Sequence, residues 1–284
     1  MSRKTSNLSQ IDPRAEFGDD VEIGPFCVIG PNVRIGDGCH LDSHVTVVGH
    51  TTIGKRNRFF PNCVIGAEPQ DASYRKSVTQ LEIGDNNIFR EGVTVNRGAE
   101  KEDRCTRVGN WNMLMSNSHV AHNCHIANHA ILVNGVLLGG HVHVHEGAIV
   151  SGNTVVHHFS TLGTLSFVSG GSKVVTDIPP YMLASGNDNL TIKMVNIVGL
   201  KRAGIPDATI KIIKHAHRLM FRKHTKLSTV RAIFRDELDG NFPLELTNFL
   251  DFIERQQQGK LGRAREIQRE NPQKDDQVPQ RRVA

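Results

Sequence analysis

The chain has 284 residues, with 34 Lys and Arg against 29 Asp and Glu, five cysteines and only 5 % aromatic residues. The cysteines are scattered and form no CxxC pair, which disfavours a disulfide framework or a cysteine-type zinc site and fits a reducing compartment. The start, MSRKTSNLSQ, has no apolar signal-peptide core, and no apolar run approaches the ~20 residues of a membrane span. We therefore expect a cytoplasmic protein without stable membrane insertion.

An apolar residue recurs at every sixth position over the first 174 residues, with two breaks. The series consists of Ile11, Phe17, Ile23, Ile29, Ile35, Leu41, Val47, Ile53, Phe59, Ile65, Ile83, Phe89, Val95, Val108, Leu114, Val120, Ile126, Leu132, Leu138, Val144, Val150, Val156, Leu162, Val168 and Val174. This period matches neither a helix nor a simple alternating strand. It fits short strands separated by tight corners, three to a coil, so the pattern predicts a parallel β-helix.

The residue two places before each apolar position is usually small. One large and one small inward side chain per hexad would fill a narrow prism. Cys27, Cys39, Cys63 and Cys124 occupy the small position, and we expect them to be core residues rather than reactive thiols.

Two stretches interrupt the period. Residues 67–80, AEPQDASYRKSVTQ, have no aliphatic repeat, and residues 99–107, AEKEDRCTR, shift its phase by one. Both are predicted to be loops that project from a β-helix domain spanning residues 1–184. Loops on a rigid scaffold often carry binding groups.

The period is lost after the Pro-rich segment TDIPPYMLASGN, and helical patterns follow. Pro206 and Asp207 are suited to open a helix, and Gly204 and Gly240 are suited to break one. The three predicted apolar faces consist of Ile210, Ile213, His217 and Met220; Leu227, Val230, Phe234 and Leu238; and Leu246, Phe249, Leu250 and Ile253. A helical domain is therefore predicted to cover the open edge of the last coil.

We place this helical domain at residues 185–262 and predict that the charged residues 263–284 are disordered. From residue 191 onward the chain has 19 Lys and Arg against 11 Asp and Glu. The basic excess of the whole chain therefore belongs to its carboxyl-terminal third, which suggests an acidic partner there.

The segment NSHVAHNCHIANHA, residues 117–130, places four histidines within eleven positions. Because Val120 and Ile126 point inward, His119 and His125 should point outward. Stacked coils repeat every 18 residues, which places His143 above His125.

The same repeat places His122 near Gly140 and His141, with His157 about two coils further along. Three of these histidines, His122, His141 and His157, are therefore predicted to line one stretch of outer surface. Such a cluster has three interpretations: solvated surface imidazoles, a three-histidine zinc site, or a general base.

Five segments in order, SHVAHNC, LLGGHVHV, VVHHF, DIPPYMLASGN and VNIVGLKRAG, resemble the UDP-N-acetylglucosamine acyltransferase family of lipid A biosynthesis. The resemblance covers residues 8–258 and implies a left-handed β-helix. It implies transfer of an R-3-hydroxyacyl chain from acyl carrier protein to the 3-hydroxyl of UDP-N-acetylglucosamine, without cofactor, metal or covalent intermediate. It also implies a homotrimer with sites between neighbouring prisms, and no nucleic-acid partner.

Carried over by position, the resemblance makes His122 the general base and Gly140 the residue whose N–H stabilises the oxyanion. Gln70 and Asp71 would contact the substrate near the reacting centre. Three further residues match pocket histidines of the family: His119, His141 and His157.

The resemblance also assigns Asn196 and Arg202 to the nucleotide sugar and Gly170 to the control of acyl length. The basic helices would dock the acidic carrier protein. Their cations are Lys201, Arg202, Lys211, Lys214, Arg218, Arg222, Lys223 and Lys226.

Several positions depart from the family pattern. Asn123 stands where an acid is common, Ser73 where a Lys is usual, and Asn96 where a His is common; Val198 and Ala203 replace polar or charged residues. The departures leave open an acyltransferase for a related amino nucleotide sugar. The histidine cluster also leaves open a zinc enzyme like the gamma-class carbonic anhydrases, although such an enzyme would not be expected to carry this helical domain. A non-catalytic binding scaffold is the third alternative.

Overall fold

The computed structural model describes residues 4–260 and residue 262, so the tail predicted at 263–284 lies outside the described residues. The described chain winds through three sheets in turn, called sheets A, B and C, which form the three faces of a prism. Strands are numbered in chain order.

The strands of sheet A are, in spatial order, β1 (Lys4–Thr5), β4 (Glu22–Ile23), β7 (His40–Leu41), β10 (Arg58–Phe59), β13 (Ile88–Phe89), β16 (Met113–Leu114), β19 (Ile131–Leu132), β22 (Ile149–Val150), β25 (Phe167–Val168), β27 (Met182–Ser185) and β28 (Thr191–Val195). Sheet B consists of β2 (Gln10–Ile11), β5 (Val28–Ile29), β8 (Thr46–Val47), β11 (Val64–Ala67), β14 (Thr94–Asn96), β17 (His119–Val120), β20 (Leu137–Leu138), β23 (Val155–Val156) and β26 (Lys173–Val174). Sheet C consists of β3 (Glu16–Phe17), β6 (Val33–Ile35), β9 (His50–Ile53), β12 (Gln80–Ile83), β15 (Cys105–Val108), β18 (His125–Ile126), β21 (His143–Val144) and β24 (Thr161–Leu162).

Strands β1 to β27 pair in parallel with strands one coil away, which confirms the predicted parallel β-helix. Val120 pairs with Leu138, for example, and Leu132 with Val150, both 18 residues apart. The side chains of these four residues are buried in one continuous core. The six-residue period therefore marks the inward position of each short strand.

The five cysteines are free and buried, as predicted for the four in hexad positions. Burial raises the pKa of the Cys63 thiol to about 12 and also raises the pKa of Cys27 and Cys39. Protonated thiols act as small apolar side chains, which is what the narrow prism needs at this position.

The β-helix extends beyond the apolar series in two places. Strand β1 pairs with β4 ahead of Ile11. The apolar series did not predict this strand because its residues, Lys4 and Thr5, are polar. The prediction of a loop over 99–107 was wrong at its end, because Cys105–Val108 pair with Gln80–Ile83. The irregular segments between the strands are residues 68–79 and 97–104.

After the last coil, β27 and β28 form an antiparallel hairpin. It is followed by α1 (Ile197–Arg202), α2 (Asp207–His217), a π-helical segment (Arg218–Arg222), α3 (Leu227–Glu237) and α4 (Leu244–Gln257). The three predicted helices are therefore present, although Met220 falls in the π-helical segment. Of this hairpin, β28 lies within the range predicted to be helical, whereas β27 spans the domain limit at 184/185, which stays a prediction.

A second core holds this end together, and its residues include Leu200, Ile213, Phe234 and Phe249. The helices thereby cover apolar surface at the carboxyl-terminal end of the prism. None of the helices in residues 4–260 has the length and apolar character that crossing a membrane would require.

We predict that Phe89→Ala lowers the free energy of unfolding by about 3–5 kcal/mol. Phe89 stacks on Phe59 inside the prism, with ring centroids 4.6 Å apart and both side chains fully buried. The neighbouring Ile88→Ala change, at a residue 38 % exposed, should cost about 1 kcal/mol or less. Urea unfolding of both variants would check this, and equal losses would contradict it.

Candidate active site

Three consecutive connections from sheet B to sheet C carry the candidate site. The chain leaves β11 through residues 68–79, leaves β14 through 97–104, and leaves β17 through 121–124. Since these strands are neighbours in sheet B, the two loops and the turn that carries His122 stack on the same edge of the prism.

His122 is held by the residue that follows it. Its Nδ1 lies 2.9 Å from Oδ1 of Asn123, and only 12 % of its side chain is exposed. Burial, followed by the effect of His141, lowers the pKa of His122, although Asn123 and Asp71 act in the opposite direction. The lowered pKa favours the neutral imidazole, which is the state that a general base requires.

Asp71 lies on the far side of the imidazole. Its Oδ2 is 3.8 Å from Nε2 of His122 and accepts a hydrogen bond of 2.6 Å from Lys101 Nζ. Its Oδ1 accepts from the backbone N–H and the hydroxyl of Ser73. Burial alone would raise the pKa of Asp71, but the bonds from Lys101 and Ser73 hold it well below its usual range. Gln70, next to Asp71, is exposed.

Gly140 lies one coil above His122. A Cβ built on Gly140 would approach Cε1 and Nε2 of His122 to 2.7 Å, so any side chain at 140 would displace the imidazole. The Gly140 N–H has no hydrogen-bond acceptor among the described residues. The structure therefore places an available donor beside the candidate base.

His141 packs against His122 in the interior of the site. Its ring meets that of His122 edge-on at 5.2 Å and stacks on Phe159 at 4.4 Å. Its Nδ1 lies 3.0 Å from a carboxylate oxygen of Glu102. His141 is almost completely buried, so it is anchored on both sides and limits how far His122 can move.

The other two predicted pocket histidines lie at the margin of this cluster. His119, in β17, bonds through Nδ1 to Thr94 Oγ1 at 2.7 Å, and burial lowers its pKa. The register of β20 and β23 places His158, rather than His157, in the column of His122 and Gly140. The expected alignment of His157 with His122 is therefore offset by one residue, although the rings of His157 and His158 are only 3.7 Å apart.

The predicted nucleotide-sugar residues lie on another edge of the prism. Asn196 and Arg202 line a pocket of about 690 Å³ beside sheet A, and His129, from a turn between sheets C and A, also lines it. Oδ1 of Asn196 accepts from the Gly199 N–H, and its Nδ2 donates to the Leu165 carbonyl. Asn196 therefore caps α1, while the exposed Arg202 remains available for a ligand.

Gly170, the predicted determinant of acyl length, is exposed in the turn that joins sheet A to sheet B. It thus lies on a third edge, and one chain does not bring it into contact with His122. Its missing side chain would meet Gly152 O at 3.2 Å.

Lys101 and Glu102 were not predicted as site residues, although they contact Asp71 and His141. A usable signal was present in the sequence. Both interruptions of the hexad series follow strands of sheet B, and counting coils would have placed the charged segment AEKEDR beside His122.

The outward face of sheet C carries the remaining clustered histidines. The rings of His125 and His143 stack at 4.8 Å, as the 18-residue repeat predicted. Among the described residues, no three His, Cys, Asp or Glu side chains are grouped so that they could hold a metal ion.

Comparison with known proteins gives consistent matches. A family model described as UDP-N-acetylglucosamine O-acyltransferase, domain 2, matches residues 177–261. The acyl-[acyl-carrier-protein]–UDP-N-acetylglucosamine O-acyltransferases of Syntrophobacter fumaroxidans and Sinorhizobium fredii are 38 % and 40 % identical to the chain. The matches cover 88 % of this chain and 96 % and 92 % of those proteins.

Solved structures agree. The UDP-N-acetylglucosamine acyltransferase LpxA of Bacteroides fragilis superposes with a TM-score of 0.83 at 36 % identity, and LpxA of Acinetobacter baumannii with 0.84 at 37 %. Each match covers 88 % of this chain and 96 % of the other.

We predict that His122 titrates below its ordinary pKa of about 6.5 and that its neutral form carries the proton on Nδ1. Burial disfavours the charged ring, so the imidazole stays neutral until the pH falls through this lowered value. Nitrogen-15 NMR, with the signals assigned by their loss in His122→Gln, would measure both properties. A pKa of 6.5 or higher would contradict the prediction.

Proposed function

Because the chain belongs to the acyl-[acyl-carrier-protein]–UDP-N-acetylglucosamine O-acyltransferase family, we propose that His122 is its general base. The activity is transfer of an R-3-hydroxyacyl chain to UDP-N-acetylglucosamine, the first step of lipid A biosynthesis. The observation that carries the proposed mechanism is a buried imidazole whose Nε2 lies beside Asp71 and Gly140. The scaffold is the parallel β-helix predicted from the hexads, with the left hand that the family resemblance implies.

The proposed chemistry needs one base and one oxyanion donor. Nε2 of His122 takes the proton of the sugar 3-hydroxyl as the oxygen attacks the thioester carbonyl of the acyl carrier protein. The N–H of Gly140 donates to the oxyanion that forms. Collapse breaks the C–S bond, and the thiolate leaving group takes the proton from His122, so no metal or covalent enzyme intermediate is needed.

The groups around His122 are proposed to hold the substrates. Asp71 stays ionised because of its bonds from Lys101 and Ser73, so it can accept hydrogen bonds from sugar hydroxyls. The exposed Gln70 extends this loop surface. The family assignment implies three further side chains that line the substrate pocket, and we propose this role for His119, His141 and His157.

The site is proposed to be shared between protomers of a homotrimer. The His122 edge joins sheets B and C, whereas the pocket of Asn196 and Arg202 adjoins the edge between sheets C and A. Sheet C separates the two in one chain. A three-fold arrangement that packs sheet C against its neighbours would bring the first edge of one protomer to the second edge of the next.

Acyl length is proposed to be set by Gly170, where the lack of a side chain leaves room for a longer chain. The carrier protein is proposed to dock on the basic helices, among them α2 with Lys211 and Lys214. Acyl carrier protein is acidic, so opposite charge would steer it to this end. The free, buried cysteines are compatible with the cytoplasmic location proposed for this reaction.

We predict that His122→Ala lowers kcat for acyl transfer by about 10²–10⁴-fold, the usual contribution of a general base. The assay would follow R-3-hydroxyacyl carrier proteins of several chain lengths and UDP-N-acetylglucosamine, with EDTA present. His40→Ala, which removes an imidazole paired with Glu22 and Asp42 in sheet A, is the matched control.

Unchanged turnover in His122→Ala would contradict the general-base role. Transfer only to an acceptor with an amino group on the sugar would favour the related amino nucleotide sugar. Loss of wild-type transfer in EDTA would favour a metal-dependent reaction.

The shared site predicts that two inactive variants complement each other. His122→Ala and Arg202→Ala should each transfer poorly, because each disables one half of every site. Mixed trimers, co-expressed with two tags and purified through both, each contain both variants, so about one in three of their sites should have both halves intact. A site contained within one chain would give no recovery.

A further inference from the structure

Asn123 follows His122 in a tight turn with a left-handed backbone conformation, φ +57°, and its side chain is completely buried. That side chain makes three hydrogen bonds. Oδ1 accepts from the Ala99 N–H at 2.8 Å and contacts His122 Nδ1 at 2.9 Å, while Nδ2 donates to the Lys101 carbonyl at 2.8 Å. One amide therefore connects the imidazole to the loop over residues 97–104.

The chemistry of these partners fixes which way the amide points. The backbone N–H of Ala99 can only donate and the Lys101 carbonyl can only accept, so Oδ1 must face Ala99 and Nδ2 must face Lys101. Oδ1 has no proton to give to His122. The imidazole therefore donates from Nδ1, and its lone pair is on Nε2, the atom nearest Asp71.

We infer that Asn123 is a positioning residue: it fixes the tautomer of His122 and fastens the loop of residues 97–104 against it. The inference rests on the general-base role proposed above. The fastened loop carries Lys101, which bonds Asp71, and Glu102, which contacts His141. Asn123 thus acts on the reacting centre through His122 and through this loop, without touching the substrate itself.

The neutral amide has a second consequence, which an acid at this position would not give. A carboxylate 2.9 Å from Nδ1 would stabilise the imidazolium form, whereas an amide carbonyl carries no net charge. The other groups that face His122 are Asp71, Lys101, His141 and His119. Asn123 therefore keeps the base in its neutral form to lower pH than an aspartate would.

The test compares Asn123→Asp and Asn123→Gly, both of which tolerate a positive φ. The matched controls are Asn62→Asp and Asn62→Gly, at an exposed turn residue with φ +65°. In Asn123→Asp the acidic limb of the kcat/KM profile should move up by about one pH unit. In Asn123→Gly the acidic limb should stay at the low pH of the wild type. The value of kcat should fall about 10²-fold, because the imidazole of His122 is no longer oriented.

A second readout does not depend on turnover. Nitrogen-15 NMR of the His122 ring should show Nδ1 protonated in the wild type and a mixture of tautomers in Asn123→Gly. A residue that only supports the fold would lower the melting temperature without moving the acidic limb or the tautomer, and that result would overturn the inference. If the wild type transferred no acyl group, the proposed function would be wrong. An unchanged tautomer of His122 in Asn123→Gly would contradict the role of Asn123 and leave the proposed function intact.

Discussion

The narrow interior of the prism is the constraint on which the rest of the structure depends. Each short strand can place only one large and one small side chain inside, and parallel pairing fixes the next coil in register. Any insertion must therefore leave the prism at a corner, as residues 68–79 and 97–104 do. The charged groups of the candidate site are found on these corners because the inward positions take apolar side chains and compact polar ones such as Asn57 and Ser118.

The candidate site results from stacking three such corners. The turn that carries His122 supplies the imidazole, one loop supplies Asp71, and the other supplies Lys101. Each of these side chains is partly buried by the others, so solvent is partly replaced by fixed dipoles and charges. This environment lowers the pKa of both His122 and Asp71, which favours a neutral imidazole beside an ionised carboxylate.

The same geometry places the other predicted site residues on different edges of the prism from His122. The pocket of Asn196 and Arg202 is built where α1 meets sheet A, and Gly170 lies on a further edge. A rigid prism does not fold these edges together within one protomer. This separation is the reason for proposing a site shared between protomers.

The sequence by itself determined the coil architecture, the buried cysteines and the existence of the helices at Pro206, Leu227 and Leu246, because periodicity directly reports which side chains point inward. Its resemblance to a family also assigned His122, Gly140 and Asp71 before any distance was available. Only the tertiary structure decided the irregular contacts. The bond from Lys101 to Asp71, the capping of α1 by Asn196 and the three hydrogen bonds of Asn123 depend on the course of loops that follow no repeat, so no periodic signal encodes them.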